Sequence, residues 1–178
     1  RYLGIDNVLV LRGDAAKNET AFEPEPGGHK YASDLLKQVA NLNAGIYLED
    51  DLKGTQKTEF CIGVAGHPEK HFEAPNYTQD IEYLKLKIDA GASYIVTQMF
   101  FDNKKFFIFR DACIKAGITV PIVPGLKPIT KKYQLTSIPR KFFINFPEDL
   151  VKELIKIEDK DVKTLGIEWC IEQCRELK

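Results

Sequence analysis

The feature that most constrains this chain is a repeated alternation of a short β-branched apolar run, a loop and an amphipathic helical pattern. Four strands are predicted, at Asn7 to Leu11, Phe60 to Ala65, Tyr94 to Phe100 and Val120 to Val123. Each is nearly continuously apolar, as expected of parallel strands covered on both faces. Helical spacing follows in turn, through Ala32, Leu35, Val39 and Leu42, through Ile81, Leu84 and Ile88, and through Phe106, Phe109 and Cys113. Gly91 and Gly117 stand where a glycine ends a helix, and Asp102 stands where a carboxylate caps the third helix. Further helical segments are predicted near Lys132 to Ser137, at Pro147 to Ile157 and at Asp161 to Leu177. The stretches Ala15 to Lys30 and Ala44 to Glu59 break the rhythm and read as loops, the first on the ligand side of the sheet and the second at the opposite rim. Strand and helix units of this kind build either an open doubly wound sheet or a closed barrel of eight units. A full barrel takes about 250 residues, so 178 residues with four strands leave a small open sheet or a piece of a barrel, within a single domain spanning residues 1–178.

Charge narrows the partners. Lys plus Arg number 25 against 26 Asp plus Glu, so no basic face is offered to nucleic acid. No apolar run approaches the ~20 residues of a membrane-spanning helix. Cys61, Cys113, Cys170 and Cys174 form no Cys-x-x-Cys pair and read as small buried apolar groups in a reducing compartment, although Cys170 and Cys174 lie one helical turn apart. The chain starts at Arg1 with neither an initiator Met nor a leader, and we expect a fragment.

Polar residues gather where the strands end, which is where ligands bind in either architecture. Arg12-Gly13-Asp14 places a cation, a flexible backbone position and a carboxylate at the first exit; the bland alternative is a turn with a local ion pair. Gln98, inside an apolar run, must find hydrogen-bond partners, either in a heterocycle edge or in neighbouring backbone. His67 and His71 are four residues apart with Glu69 and Glu73 nearby, but Pro68 speaks against the helix that a paired-histidine zinc site needs. Two imidazoles with Lys70 at a strand mouth suit hydrogen bonding to a cofactor's phosphates or ring. Lys87, on the following helix, reaches toward a diphosphate or lies solvated on the helix surface.

Taken in order and spacing, Leu11-Arg12-Gly13-Asp14, Tyr31-Ala32-Ser33-Asp34-Leu35, His71 with Glu73-Ala74, Lys87 with Asp89-Ala90-Gly91-Ala92, Thr97-Gln98 with Phe100-Phe101, and Pro124-Gly125 resemble the methylenetetrahydrofolate reductase family. The resemblance runs from near Gly4 to the end of the chain. It implies an α/β fold, a partial (β/α)8 TIM barrel whose strands resemble the fourth to seventh, with raw edges where the first three and the eighth would pair. It also implies FAD at the strand ends, NADH or NADPH as hydride donor, and reduction of methylenetetrahydrofolate to 5-methyltetrahydrofolate by a cytoplasmic enzyme of one-carbon metabolism and methionine supply, a homo-oligomer at full length.

By the same resemblance, Asp14 is the aspartate beside the flavin that also contacts folate, and its charge favours the cationic iminium form of the substrate. Gln98 is the amide that folate and nicotinamide share, and Gln134 is a second folate contact. Arg12, Gly13, Asp14, Tyr31, Ala32, His67, His71, Asp80 and Lys87 would hold FAD, with Asp80 on ribose hydroxyls and His71 and Lys87 on phosphate. His67 replaces a common tyrosine, and Leu86 stands where a polar or basic residue is frequent. The family's proton-donating glutamate lies on its first strand and an arginine contact on its eighth, so the chain is expected to be incomplete for catalysis. The alternative is a non-catalytic nucleotide-binding or assembly module of the same α/β type.

Overall fold

A computed structural model describes residues 4–13, 15, 22–49 and 51–178. Its elements are β1 (Asn7–Val10), α1 (Ala32–Ala44), β2 (Cys61–Gly66), α2 (Tyr77–Asp89), β3 (Tyr94–Thr97), α3 (Asn103–Lys115), β4 (Ile122–Val123), α4 (Gln134–Phe142), α5 (Glu148–Lys156) and α6 (Val162–Glu176). The four strands form one sheet in the order β1-β2-β3-β4, every pair parallel. Helices return the chain between strands, as a parallel pair requires. Among the described residues, β1 and β4 each have a single strand partner.

Local chemistry explains the boundaries. The Asn76 side chain accepts from Gln79 N–H at 2.9 Å and starts α2, and Asp102 accepts from Lys104 N–H at 2.9 Å and starts α3, the latter as its position in the sequence suggested. Gly91 and Gly117 follow the two helix ends at φ 111° and 76°, the left-handed region that favours glycine. At residues 44–49 and 51–59 the loop assignment holds, except that Ala44 closes α1; residue 50 lies outside the described residues.

Two expectations need correction. β3 ends at Thr97, not Phe100: beyond it the chain leaves the sheet, and Phe100 and Phe101 are buried at 0% and 1% exposure as core residues. The apolar run there reflects packing, not strand. Nor are the strands covered on both faces. In register, Val8, Val10, Ile62, Val64, Ile95 and Ile122 point to the helix side, where Leu36, Ile81, Leu84, Phe109 and Cys113 complete a first core. The opposite face carries Leu9, Cys61 and Val123, all exposed, with the Tyr94 ring lying where a side chain on Gly63 would stand. Of the four cysteines only Cys113 is fully buried; Cys61 and Cys174 are exposed and Cys170 is half-buried.

A second core joins α4, α5 and α6 around Phe101, Ile129, Ile138, Ile144, Leu150, Leu154 and Val162. Docking of α6 is close. A Cβ on Gly166 would lie 1.9 Å from the Ile129 carbonyl oxygen. Nearby, Trp169 Nε1 donates to Phe101 O at 3.1 Å, and Gln173 Nε2 donates to Phe100 O at 3.2 Å. These bonds fix the segment after β3 and hence the rim on which Gln98 stands. No helix among the described residues is long and apolar enough to cross a membrane.

Candidate functional site

Parallel register brings the strand exits together. Val10 pairs with Val64 and Gly66 with Thr97, so the chain leaves through Arg12, His67 and Gln98 along one rim, with Pro124-Gly125 following β4. Gln98 N–H still donates to Gly66 O at 2.8 Å, which holds His67 and Gln98 on adjacent exits. The fourth exit is pinned by Gly125 N–H donating to Thr97 Oγ1 at 2.8 Å.

Most of the polar residues singled out in the sequence meet at the end of β2. The His67 and His71 rings lie edge to face, 4.7 Å between centroids. Asp80, one turn into α2, accepts from His71 N–H at 2.8 Å. Lys87 lies seven residues further on the same helix face, two turns on, and its part-buried Nζ donates to Ala65 O at 2.8 Å, so the ammonium is held by the end of β2. Burial pushes the Lys87 ammonium below its ordinary range, while Asp80 opposes that shift. His67 falls furthest, to about 3, because it is desolvated and because His71 and Lys87 disfavour a further positive charge. His71 is lowered by burial, Arg12 and Lys87, against the pull of Asp80 and Glu73. Both imidazoles are therefore neutral at pH 7. Glu73 N–H donates to His71 Nδ1 at 3.3 Å, which leaves Nε2 carrying the proton of the neutral ring as a donor.

Arg12 meets this group through Glu73, to which it donates from Nη1 at 2.7 Å and Nη2 at 2.8 Å. The guanidinium holds the Glu73 carboxyl below its usual range. Glu73 as the partner of Arg12 was not apparent from the sequence, since 61 residues separate them. Gly13 follows, with the Phe22 ring 3.1 Å from where a Cβ would stand. Asp14 lies outside the described residues.

Three assigned residues stand apart from the His67 group. Tyr31 is exposed at the start of α1, where its N–H donates to Asp34 Oδ2 at 3.1 Å, and Ala32 packs against the first core. Gln134 opens α4, and its Oε1 accepts from Thr130 N–H at 2.7 Å and Lys131 N–H at 3.0 Å, so its amide nitrogen alone remains for other contacts. Gln98 is similar: Oε1 accepts from Met99 N–H at 3.0 Å, and Nε2 has no hydrogen-bond partner among the described residues. No hydrogen bond among the described residues joins Tyr31 or Gln134 to the histidine group.

Parallel strand and helix units with ionisable groups assembled at the C-terminal strand ends make an α/β fold consistent with a partial TIM barrel. A solved Clostridium thermocellum protein that binds two copies of 5-methyl-5,6,7,8-tetrahydrofolic acid shares this fold, with a TM-score of 0.57 over 97% of this chain and 59% of that one, at 17% sequence identity. The methylenetetrahydrofolate reductase family model matches residues 1–178, and the chain belongs to that family. It is 37% identical over 178 residues to methylenetetrahydrofolate reductase 2 of Saccharomyces cerevisiae and 36% identical over 176 residues to methylenetetrahydrofolate reductase 1 of Schizosaccharomyces pombe. It covers 28% and 27% of the lengths of these two relatives.

Proposed function

We propose that this chain supplies part of the cofactor and folate rim of an NAD(P)H-dependent, FAD-containing methylenetetrahydrofolate reductase. The observation that carries the reading is the joining of His67, His71, Asp80 and Lys87 at one strand exit beside Gln98, in a chain of this family. The donor set fits a dinucleotide. Lys87 offers a part-buried ammonium and His71 its Nε2–H for phosphate oxygens, while Asp80 has spent one oxygen on the His71 backbone and keeps the other for a ribose hydroxyl. Flavin, when bound, supplies the hydride chemistry.

The chain's own groups bind and orient. Neutral His67 adds bulk and a hydrogen-bonding edge beside Lys87 without adding a cation. The free amide N–H groups of Gln98 suit the carbonyl of a pterin or a nicotinamide amide, so one side chain serves two ligands in succession. Asp14, whose placement is not described, would favour a cationic iminium substrate by charge. Gln134 would reach folate through its amide nitrogen.

The test is spectroscopic and kinetic. The full natural chain should purify with flavin absorbance, bleach on addition of NADH or NADPH, and form 5-methyltetrahydrofolate. Replacement of Gln98 by Ala should leave the flavin bound and slow both half-reactions by about tenfold or more, the scale of a lost polar contact to a ligand. A colourless protein with no affinity for FAD would overturn the reading.

A further inference from the structure

The loop between β2 and α2 is joined to the segment between α4 and α5 by two contacts that the proposed chemistry does not use. Glu69 accepts from Asn145 N–H at 3.1 Å and from Asn145 Nδ2 at 2.6 Å. The Phe72 and Phe143 rings stack with centroids 4.7 Å apart and planes 17° apart. These are surface contacts made by residues more than 70 positions apart, with Phe72 and Phe143 each about half exposed, at 51% and 56%.

Both sides are built to hold them out. From Phe143 to Phe146 the chain alternates: Ile144 is buried in the second core and Phe146 packs on Phe101 at 4.4 Å, which turns Phe143 and Asn145 toward the loop. Phe143 sits at φ 55° and Lys70 at φ 91°, left-handed conformations that a non-glycine residue adopts only when its surroundings fix it. The fixing groups are visible. Phe143 N–H donates to Pro139 O at 2.9 Å, and Lys70 Nζ donates to Ala74 O at 2.6 Å and His71 O at 2.8 Å. Between Glu69 and Phe72 stands His71, whose ring lies 4.8 Å from that of Phe72. The far side of the contact is the C-terminal end of α4, the helix whose first residue is Gln134.

We infer that Glu69 and Phe72, with Asn145 and Phe143, form a clasp that sets His71, on the cofactor side of the rim, in register with α4, on the folate side. This rests on the reading of the rim as a FAD and folate site. The four are positioning residues: they act through His71 and α4 and not by touching the reacting groups. A strained, doubly tied joint between segments carried on two separate cores transmits displacement of one to the other, since neither segment can relax without breaking the stack or the Glu69 bonds.

The experiment uses the full natural chain and FAD as the probe. Phe72→Leu and Asn145→Ala should each raise the FAD dissociation constant about 3- to 10-fold, the range set by one aromatic pair or one charged hydrogen bond. Each should also raise KM for methylenetetrahydrofolate more than it lowers kcat, an effect that a merely stabilising contact would not produce. The Phe72→Leu, Phe143→Leu double variant should bind FAD no more weakly than the worse single variant, because both remove the same stack. Wild-type FAD affinity and KM in both single variants, or fully additive losses in the double, would overturn the clasp. If the wild-type chain binds no FAD, the reading of the site fails and the clasp is judged separately by NMR titration of His71. That ring faces Asp80, Glu73, Arg12, Lys87 and His67. Its titration should shift in Phe143→Leu, which removes a residue one ring away, and an unmoved titration would refute the clasp.

Discussion

Neutral His67 makes the stability of this protein depend on mild acid. In the unfolded chain the imidazole takes a proton near 6.5, and in the folded chain at about 3. Between these values the unfolded state binds more protons, so stability is complete above pH 6.5 and is lost as pH falls toward 3. At pH 5 the unfolded form gains RT ln(1 + 10^1.5) while the folded form gains almost nothing, a difference of about 2 kcal/mol. The figure changes little if the folded value is a unit higher, because pH 5 still lies above it. His67→Gln keeps a polar side chain of similar reach and removes the titration. Urea unfolding at pH 7.5 and pH 5.0 should therefore show the wild-type chain losing about 2 kcal/mol more than the variant. Acid sensitivity that remains in the variant comes from the other groups whose lowered pKa has the same sign, His71 first and Glu73 at lower pH. Equal pH dependence in the two proteins would mean that His67 is hydrated or paired in the folded state, and the charge argument for the site would fail with it.

Three further outcomes follow from individual contacts. Lys87→Met should weaken FAD binding about tenfold or more by removing a charged donor, yet leave urea stability within about 1 kcal/mol of wild type because the desolvation of a buried ammonium is removed as well; collapse of stability would mark Lys87 as structural. Tyr77→Phe should be neutral or stabilising by about 1 kcal/mol in thermal or urea unfolding, since the Tyr77 hydroxyl is buried without a hydrogen-bond partner among the described residues, and a clear loss would show that it has one. Gly166→Ala places a methyl group 1.9 Å from the Ile129 carbonyl oxygen, and the backbone shift should outweigh the gain of about 1 kcal/mol in helix propensity, for a net loss of about 2 kcal/mol or more in urea unfolding; a stabilised variant would mean that α6 docks less closely.

Sequence reading succeeded where the determinant is local. β2 is a short apolar run carrying Ile62 and Val64 and ending at Gly66, α3 announces its start with Asp102, and Gly91 and Gly117 announce two helix ends, so each element could be placed without its neighbours. It failed where two elements decide together. Phe100 and Phe101 have the composition of a strand but are drawn out of the sheet by α6, through Trp169 and Gln173. β1 and β4 look fully buried by composition, yet Leu9 and Val123 are exposed, because the alternation of a strand does not say whether both faces find a cover. Among the site residues, proximity to a strand end was enough to single out Arg12, His67, His71 and Gln98. The partners were not legible: Glu73 for Arg12 and Asn145 for Glu69 lie 61 and 76 residues away, and no periodicity encodes such a pairing.

Lys87 shows how that missing information changes chemistry. As one lysine on an amphipathic helix it has an exposed ammonium by default, but its helix face is shared with Asp80 and turned toward the end of β2, where Ala65 O receives it. A buried ammonium is tolerable there because its neighbours are balanced. Arg12 is matched by Glu73, Lys87 is opposed by Asp80, and the two imidazoles stay neutral. Protonating His67 would break that balance, because His71 and Lys87, the charged groups acting on its ring among the described residues, both disfavour the added charge. The same surroundings that depress the histidine set Lys87 beside neutral imidazoles, so in the proposed role of Lys87 as a phosphate donor the acid sensitivity of the fold and the affinity for FAD should rise or fall together.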